Sequence, residues 1–232
     1  MRFVLIRHAQ SGNNLIIETT GGDEGRQPDP LLTPLGEEQA AALASYASQD
    51  RLPWELTHLR TSLMARAVQT AAPLADALDL PLEGDTELHE CLGPYDVLPD
   101  SGTRVPHPGA PRSVLTSYSS RLVLPEDVTE DGWWTAEVES TEQEYVDRAR
   151  RVVERLRVTL PADATVGLVT HGWFTQYLLR ELLGIGEMSG WFAIPNTAVS
   201  MLAELGRREP WSGTEALRIG WLPHLAPGQV ST

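Results

Sequence analysis

Two histidines in this chain stand directly after short apolar runs, and an arginine adjoins the first of them. Residues 3–6 (FVLI) lead into Arg7 and His8, and residues 166–170 (VGLVT) lead into His171. Runs of this length are typical of buried β-strands, and the ligand crevice of an open α/β sheet lies beyond the carboxyl ends of its strands. We therefore predict that both histidines and Arg7 meet at one sheet edge, where the positive charge of the arginine favours a phosphate group.

Arg66 and Glu90 are two further residues whose positions suit chemistry on a phosphate. A predicted helix over 63–78 places Arg66 in its first turns, near an N-terminus that itself attracts anions. A predicted short strand over 86–89 would bring Glu90 to the same sheet edge. A neutral imidazole can attack phosphorus while arginines hold its oxygens, and a carboxyl group can protonate the departing oxygen. The set predicts phosphoryl transfer through a histidine, and no metal ion is needed if two arginines and a second, protonated histidine supply the positive charge.

The rest of the sequence alternates helical and strand patterns. A polar, glycine-containing loop is expected after the first strand, up to residue 30. We predict strands over 2–7, 54–59, 86–89, 165–170, 196–205 and 216–222, and helices over 34–49, 63–78, 142–160 and 172–183. Such alternation predicts an α/β fold with a mainly parallel central sheet that helices cover on both faces.

Residues 94–140 depart from this alternation. Glycine and proline are frequent between 93 and 111, which disfavours regular structure, and Trp133 and Trp134 follow in an acidic stretch. We interpret the segment as an irregular insertion after the fourth strand of a single domain spanning 1–232. Long irregular segments often form lids or binding loops, so we expect it to cover the site; a solvated surface excursion is the alternative.

Composition excludes several classes of function. The 232-residue chain has a formal net charge of −14, which argues against nucleic-acid and anionic-membrane partners. All 18 basic residues are arginine, so mechanisms that need a Schiff-base lysine or a phosphate-loop lysine are excluded. The single cysteine, Cys91, excludes an intramolecular disulfide and a multi-cysteine zinc site, and we interpret it as a small buried hydrophobe.

The same features predict the surroundings of the protein. Neither a signal peptide nor an apolar stretch of about 20 residues is recognisable. We expect a cytoplasmic protein that acts on a small phosphorylated substrate without a cofactor. Its edge strands and helix faces permit a homodimer without requiring one.

Several ordered motifs resemble those of the histidine phosphatase superfamily, whose members are also called phosphoglycerate mutase-like. The first is similar to the family signature RHGxTxxN and the third to SPLxRAxQTA. The matching stretches are 7–14 (RHAQSGNN), 32–40 (LTPLGEEQA), 62–71 (SLMARAVQTA), 88–90 (LHE), 169–172 (VTHG), 195–197 (PNT) and 224–225 (HL). The resemblance covers most of the chain outside 94–140, and several motifs in order are far more specific than any one of them.

The resemblance implies a three-layer α/β/α sandwich and roles for individual residues. It implies that His8 is the nucleophile that becomes phosphohistidine and that Glu90 is the proton donor. The implied phosphate-binding residues are Arg7, Asn14, Arg66 and His171, of which His171 also belongs to the catalytic group.

The sequence departs from the family pattern in three places. Ala9 replaces a glycine, residues 63–64 replace proline and leucine, and two residues rather than three separate Glu90 from Gly93. Because the spacing after Glu90 differs, Asp96 or another acid in the insertion remains an alternative.

The superfamily contains both phosphatases and mutases. Mutases of the family resemble one another in a basic insertion after the acid, whereas this insertion offers only Arg104, Arg112, Arg121 and His107 among many acids. A second phosphate would be poorly held there, so charge favours a phosphatase for small phosphate monoesters. Phosphoglycerate mutase-type transfer is the alternative. A non-catalytic phospho-ligand-binding module is a third candidate, which the intact catalytic set disfavours.

Aromatic residues of the insertion allow two interpretations. Tyr95, Trp133 and Trp134 could form an apolar wall for the leaving group. The two tryptophans could equally anchor the insertion to the core.

Overall fold

Strands and helices alternate along the computed structural model, which describes residues 1–208 and 211–232. The strands are β1 (Arg2–Arg7), β2 (His58–Ser62), β3 (Leu82–Asp85), β4 (Tyr95–Val97), β5 (Arg104–Pro106), β6 (Leu122–Val123), β7 (Thr165–Thr170), β8 (Val199–Arg208) and β9 (Trp211–Trp221). The α-helices are α1 (Gly12–Thr20), α2 (Pro34–Ser48), α3 (Ala65–Leu78), α4 (Arg112–Tyr118), α5 (Glu142–Thr159) and α6 (Gly172–Leu183).

Seven strands form one sheet in the order β6-β3-β2-β7-β1-β8-β9. The first five are mutually parallel, whereas β8 runs antiparallel to β1 and β9 antiparallel to β8. In the central pair, Arg7 of β1 is level with Thr170 of β7. The residues that follow these two, His8 and His171, therefore leave the sheet side by side at its carboxyl edge, as predicted.

Helices cover both faces of the sheet because successive side chains of a strand point to opposite faces. Val4 and Ile6 pack with residues of α2 and α3 on one face. Phe3 and Leu5 pack with residues of α5 and α6 on the other. All four side chains are at most 1% exposed. The predicted three-layer α/β/α sandwich with a mainly parallel sheet is thus confirmed.

Helix boundaries agree with the sequence where a capping residue is recognisable. The Thr33 side chain accepts the Gly36 N–H and Pro34 opens α2. Thr141 and Glu144 form a capping box at the start of α5. Gly184 ends α6 with a φ of 66°, in the left-handed region that glycine adopts without strain.

Three predicted elements are wrong in place or type. The strand predicted over 54–59 begins at His58. The neighbouring strand β7 begins at Thr165, level with Thr57, so residues before Thr57 extend past the end of β7 and cannot pair with it. The helix predicted over 63–78 begins at Ala65, because β2 extends to Ser62. The strand predicted over 86–89 is a 3₁₀ turn, Thr86–Leu88, which Asp85 caps by accepting the Glu87 N–H.

Helix α1 occupies part of the expected loop. Helix α1 has no buried residue, so an apolar stripe does not mark it in the sequence. The sequence feature that indicates the helix is the capping pair at its start. Ser11 and Asn14 form a reciprocal cap there.

The segment 94–140 follows the third strand, β3, rather than the fourth as predicted, and it contains β4 and β5, which pair with each other, then α4 and β6. Strand β6 pairs in parallel with β3, so the segment provides an edge strand of the main sheet. Within the described residues, no helix combines the length and apolar character needed to cross a membrane.

Candidate active site

His8 lies just beyond β1 with its tautomer fixed by two neighbours. Its Nδ1 lies 2.7 Å from the Ala9 carbonyl oxygen, which can only accept, so Nδ1 carries the proton. Its Nε2 lies 3.2 Å from Arg66 Nε, which can only donate, so Nε2 presents a lone pair. Burial, reinforced by the charges of Arg66 and Arg7, lowers the pKa of His8 well below the ordinary 6.5. The imidazole is therefore neutral at neutral pH and nucleophilic at Nε2.

Ala9 shows why a residue larger than glycine fits after the histidine. Its φ lies outside the left-handed region and its side chain is fully buried. Its N–H donates to the Thr70 hydroxyl of α3 at 2.9 Å. The methyl group at this position therefore requires no strained backbone.

Arg66 reaches the histidine from the first turn of α3. The residue is 8% exposed, and besides His8 its Nη2 donates to the Met64 sulfur at 3.1 Å. Burial lowers the pKa of Arg66 from 12.5, but an arginine remains charged at neutral pH. Met64, which replaces the leucine of the family pattern, thus contacts the Arg66 guanidinium.

Asp29 is a site residue that the sequence analysis missed. Its Oδ1 accepts the Ala65 N–H at 2.9 Å and lies 3.7 Å from Arg66 Nη1. Burial raises the pKa of Asp29, while the charge of Arg66 opposes that rise. The pairing holds the Arg66 guanidinium against the first turn of α3. No spacing signal marks Asp29, which lies between two prolines in the loop after α1.

His171 is the first residue after β7 and the N-cap position of α6. Its ring centroid lies 5.0 Å from that of His8, and its Nε2 lies 2.8 Å from the Ser62 hydroxyl. Its Nδ1 is buried with no hydrogen-bond partner among the described residues. Burial and the charge of Arg66 lower the pKa of His171 well below 6.5. At neutral pH His171 is therefore neutral rather than protonated as expected, and it can donate one ring N–H to a phosphoryl oxygen beside His8.

Arg7 contributes the second guanidinium. Its Nη1 donates to the Ile194 carbonyl at 2.7 Å, while its buried Nε has no partner among the described residues. A Cβ at Gly172 would lie 3.0 Å from this Nε, so the glycine allows the start of α6 to approach the arginine. The unpaired Nε–H is a donor suited to a phosphoryl oxygen.

Glu90 lies at the N-terminus of α6, delivered by the 3₁₀ turn rather than by a strand. Its Oε1 accepts the N–H groups of Cys91 and Phe174, both at 2.9 Å. Among the residues that the structure describes, its Oε2 accepts one longer bond, from the Trp173 N–H at 3.2 Å. The carboxylate is near enough to Arg7 and Arg66 to act electrostatically on both. Oε2 is therefore the oxygen with capacity for a proton.

Two further predicted residues are Asn14, which lies at the start of α1, and Asp96, which lies on β4. Asn14 Oδ1 accepts from the backbone and hydroxyl of Ser11, so its carbonyl caps α1. Asp96 is exposed on β4, and Tyr95, the residue before it on the same strand, is buried. Because neighbours in a strand face opposite ways, Asp96 points away from the side on which Tyr95 packs.

Two arginines lie against the ring of Tyr95. Arg26, from the loop after α1, has its guanidinium carbon 3.8 Å from the ring centroid and donates to the Tyr95 carbonyl. Arg104 lies 5.2 Å from the same centroid. The charge of Arg26 also lowers the pKa of Arg66.

The two tryptophans of the insertion pack beneath the chain that carries Glu90. Trp134 lies edge-on to His89 at 4.4 Å between centroids, and Trp133 lies 5.7 Å from Trp134. A Cβ at Gly93 would lie 2.5 Å from the Trp134 ring. These contacts favour the anchoring role of the tryptophans over the apolar wall.

Comparison with known proteins identifies the family of this chain. The family model of the histidine phosphatase superfamily (branch 1) matches residues 3–211. The chain belongs to the histidine phosphatase superfamily. A probable phosphoglycerate mutase of Yersinia enterocolitica is 27% identical over 194 residues, which are 80% of this chain and 76% of the relative.

Solved structures with the same fold include two phosphatases. Mycobacterial glucosyl-3-phosphoglycerate phosphatase has a TM-score of 0.57 at 21% identity, with 93% of this chain and 96% of that chain covered. A phosphoserine phosphatase variant of Entamoeba histolytica, in complex with phosphoserine, has a TM-score of 0.60 at 16% identity, with coverage of 97% and 99%. As a member of this superfamily, the chain is a phosphoryl-transfer enzyme.

Proposed function

We propose that the protein is a phosphatase that hydrolyses small phosphate monoesters through a phosphohistidine on His8, in the cytoplasm and without a metal ion. The observation that carries the proposal is the fixed tautomer of His8. Its Nδ1–H is held by the Ala9 carbonyl and its Nε2 lone pair faces Arg66. A neutral imidazole held in this way is ready to attack phosphorus without first losing a proton.

In the first step the substrate takes over the contacts of the arginines. The Nε–H of Arg66 turns from His8 Nε2 to a phosphoryl oxygen, and the unpaired Nε–H of Arg7 binds another. His8 Nε2 then forms the N–P bond while the ester P–O bond breaks. Glu90 Oε2 gives its proton to the departing oxygen, and the positive imidazole ring remains bonded to the Ala9 carbonyl.

In the second step water attacks the phosphohistidine. The Glu90 carboxylate accepts a proton from that water, the N–P bond breaks, and inorganic phosphate leaves. His8 regains its Nε2 lone pair and Glu90 regains its proton, so the cycle closes. Arg7 and Arg66 offset the negative charge on the phosphoryl oxygens throughout, and their main contribution is positioning and electrostatic stabilisation.

The charges of the insertion support hydrolysis rather than mutase chemistry. Arg112 donates to the carbonyls of Val128 and Pro125, and Arg121 pairs with Asp76 and Asp79 at the end of α3. Neither arginine is available for a second phosphate. Phosphoglycerate mutase-type transfer stays the second candidate because of the probable mutase of Yersinia enterocolitica.

The arginines at Tyr95 support a leaving group that bears one carboxylate. Arg26 and Arg104 form no ion pair with an acid within the described part of the chain. Arg26 also acts electrostatically on Arg66, in a chain whose net charge is −14. Two of the similar structures, from Entamoeba histolytica, hold phosphoserine and 3-phosphoglyceric acid, both phosphorylated carboxylic acids. We therefore rank such compounds first as substrates.

The test is release of inorganic phosphate from phosphoserine, 3-phosphoglycerate, glycerol phosphate and p-nitrophenyl phosphate. We expect release that His8→Ala abolishes, by at least about a thousandfold, because the nucleophile is removed. His58→Ala is the matched control, since His58 opens β2 at the opposite end of the strand from the site. EDTA is expected to leave the rate unchanged.

Near-wild-type turnover in folded His8→Ala protein would contradict the nucleophile assignment. Conversion of 3-phosphoglycerate to 2-phosphoglycerate without phosphate release would replace the phosphatase by the mutase. Loss of activity with EDTA would require a metal ion in the mechanism.

A further inference from the structure

The loop that carries the nucleophile, residues 8–11, is held by side chains from distant parts of the chain. The His8 carbonyl accepts from Asn196 Nδ2 at 3.0 Å, and the Gln10 N–H donates to Gln39 Oε1 at 2.8 Å. Asn196 and Gln39 are both fully buried. Asn196 comes from the segment before β8 and Gln39 from α2, so side chains from two separate parts of the chain bind the backbone of this loop.

Ser231 connects these two side chains. Gln39 Nε2 donates to the Ser231 hydroxyl at 2.9 Å, and that hydroxyl donates to Asn196 Oδ1 at 2.9 Å. Ser231 is 4% exposed, and its carbonyl accepts the Asn196 N–H at 3.0 Å. The residue therefore lies in the interior, behind the nucleophile loop, although it belongs to the segment 226–232 far along the chain.

The hydrogen bonds of this set run in one direction. Gln39 Oε1 is occupied by the Gln10 N–H, so its amide nitrogen faces Ser231. The Ser231 hydroxyl thus turns its proton to Asn196 Oδ1, which leaves the Asn196 nitrogen facing the His8 carbonyl. Without the hydroxyl, the buried Asn196 Oδ1 loses this donor, and the amide that bonds the His8 carbonyl is held less firmly.

We propose that Ser231 is a positioning residue for the nucleophile: it completes the relay Gln39–Ser231–Asn196 that fixes the backbone at His8. The proposal rests on the proposed function, because it takes His8 as the attacking group. Fixing the His8 carbonyl fixes the direction in which Nε2 points, and small misplacements of a reacting atom cost rate.

The relay is separate from the two arginines that are proposed to bind phosphate. The Arg66 guanidinium is held by Asp29 and Met64, and that of Arg7 by the Ile194 carbonyl. Loss of the Ser231 hydroxyl should therefore lower the rate of phosphoryl transfer and leave phosphate affinity unchanged. A merely structural role would not separate these two quantities.

The experiment compares Ser231→Ala and Ser231→Thr with Ser200→Ala. Ser200 on β8 is also fully buried, and its hydroxyl accepts the Gly220 N–H, so its removal is a matched loss of a buried hydroxyl remote from the relay. Three quantities are measured: the single-turnover rate of His8 phosphorylation, the inhibition constant of inorganic phosphate, and the ¹H–¹⁵N resonance of His8 Nδ1–H.

We expect Ser231→Ala to slow phosphorylation roughly tenfold with an unchanged inhibition constant and a displaced His8 Nδ1–H resonance. Ser231→Thr retains the hydroxyl and should restore the rate, and Ser200→Ala should match wild type. A rate and a resonance equal to those of Ser200→Ala would overturn the proposal. The resonance tests the relay even if His8→Ala keeps activity, so failure of the proposed function is distinguished from failure of the relay.

Discussion

At the scale of single residues, the site is a neutral histidine pair among fixed positive charges. Arg66 and Arg7 each lower the pKa of His8, and Arg66 does the same for His171, in addition to the effect of burial. In the proposed mechanism, the cations that bind the phosphoryl group thus also keep the nucleophile unprotonated. The positively charged groups of the site repel one another, and a dianionic substrate reduces that repulsion when it binds. The arginines therefore stabilise the bound substrate, and the substrate stabilises their clustering.

Glu90 is the residue whose role most needs a direct test. Glu90→Gln retains Oε1 as an acceptor for Cys91 and Phe174 but cannot give up a proton from the position of Oε2. We expect turnover of an alkyl phosphate to fall by about 10²–10⁴-fold, the usual worth of a positioned general acid. Turnover of p-nitrophenyl phosphate, whose leaving group needs no proton, should fall much less. The measurement is kcat for both substrates; equal losses would argue against the acid role.

Residues at strand ends could be predicted from the sequence, whereas those held only by tertiary contacts could not. His8, Arg7 and His171 follow from the apolar runs that precede them, and the structure brings them together. Asp29 acts through a contact to Ala65, 36 positions away, and Ser231 through one to Asn196, 35 positions away. A single sequence contains no spacing that links such partners.

At the scale of elements, the turn after the 3₁₀ helix decides where Glu90 lies. Strand β3 stops at Asp85, level with Ser62 at the end of β2, so the chain beyond has no partner strand. The sequence pattern of 86–89 fits a strand, but pairing ends before it. The Gly93 N–H then closes a turn on the Glu90 carbonyl at 2.9 Å, and Leu92 and Gly93 both have positive φ, 77° and 72°.

Gly93→Ala should therefore be more costly than an ordinary glycine replacement. Positive φ costs alanine about 1–2 kcal/mol, and the new Cβ would lie 2.5 Å from the Trp134 ring, which adds about 1–3 kcal/mol of overpacking. Gly102→Ala is the matched control, because Gly102 has a φ of 68° and a Cβ added to it would meet no other atom within 4 Å among the described residues. Denaturant unfolding and kcat are measured for both variants.

We expect Gly93→Ala to lose clearly more stability than Gly102→Ala and to lower kcat, since the displaced turn carries Glu90. Combining Gly93→Ala with Trp134→Ala should recover part of the loss, because the clash is removed. Equal destabilisation by the two glycine replacements would mean that the Trp134 ring moves aside without lowering the free energy of unfolding.

At the scale of the whole molecule, alternation of helices and strands was enough to predict the layered fold, because each face of the sheet needs its own cover. It was not enough to predict that β6, from the irregular segment, joins the edge of the sheet. A strand of two residues has no readable periodicity, and its pairing with β3 depends on how the segment returns to the core.

Four histidines make the stability of the whole molecule dependent on pH. Burial lowers the pKa of His8, His89 and His171 well below 6.5 and that of His224 to about 4. Below pH 6.5 the unfolded chain binds protons that the folded chain does not, so the free energy of unfolding falls as the pH falls through this range. Asp29, whose pKa burial raises, opposes the trend with a single group.

We therefore expect urea unfolding at pH 7, 6 and 5 to give progressively lower free energies of unfolding. Each histidine contributes a slope of at most about 1.4 kcal/mol per pH unit. His224→Gln keeps a polar group near the Thr197 hydroxyl, the partner of His224 Nε2, but cannot be protonated, so its slope should be shallower than that of wild type between pH 6.5 and 4. A wild-type stability that stays level or rises on acidification would show that the histidines are protonated in the fold, and the neutral His8 required for attack would then be lost as well.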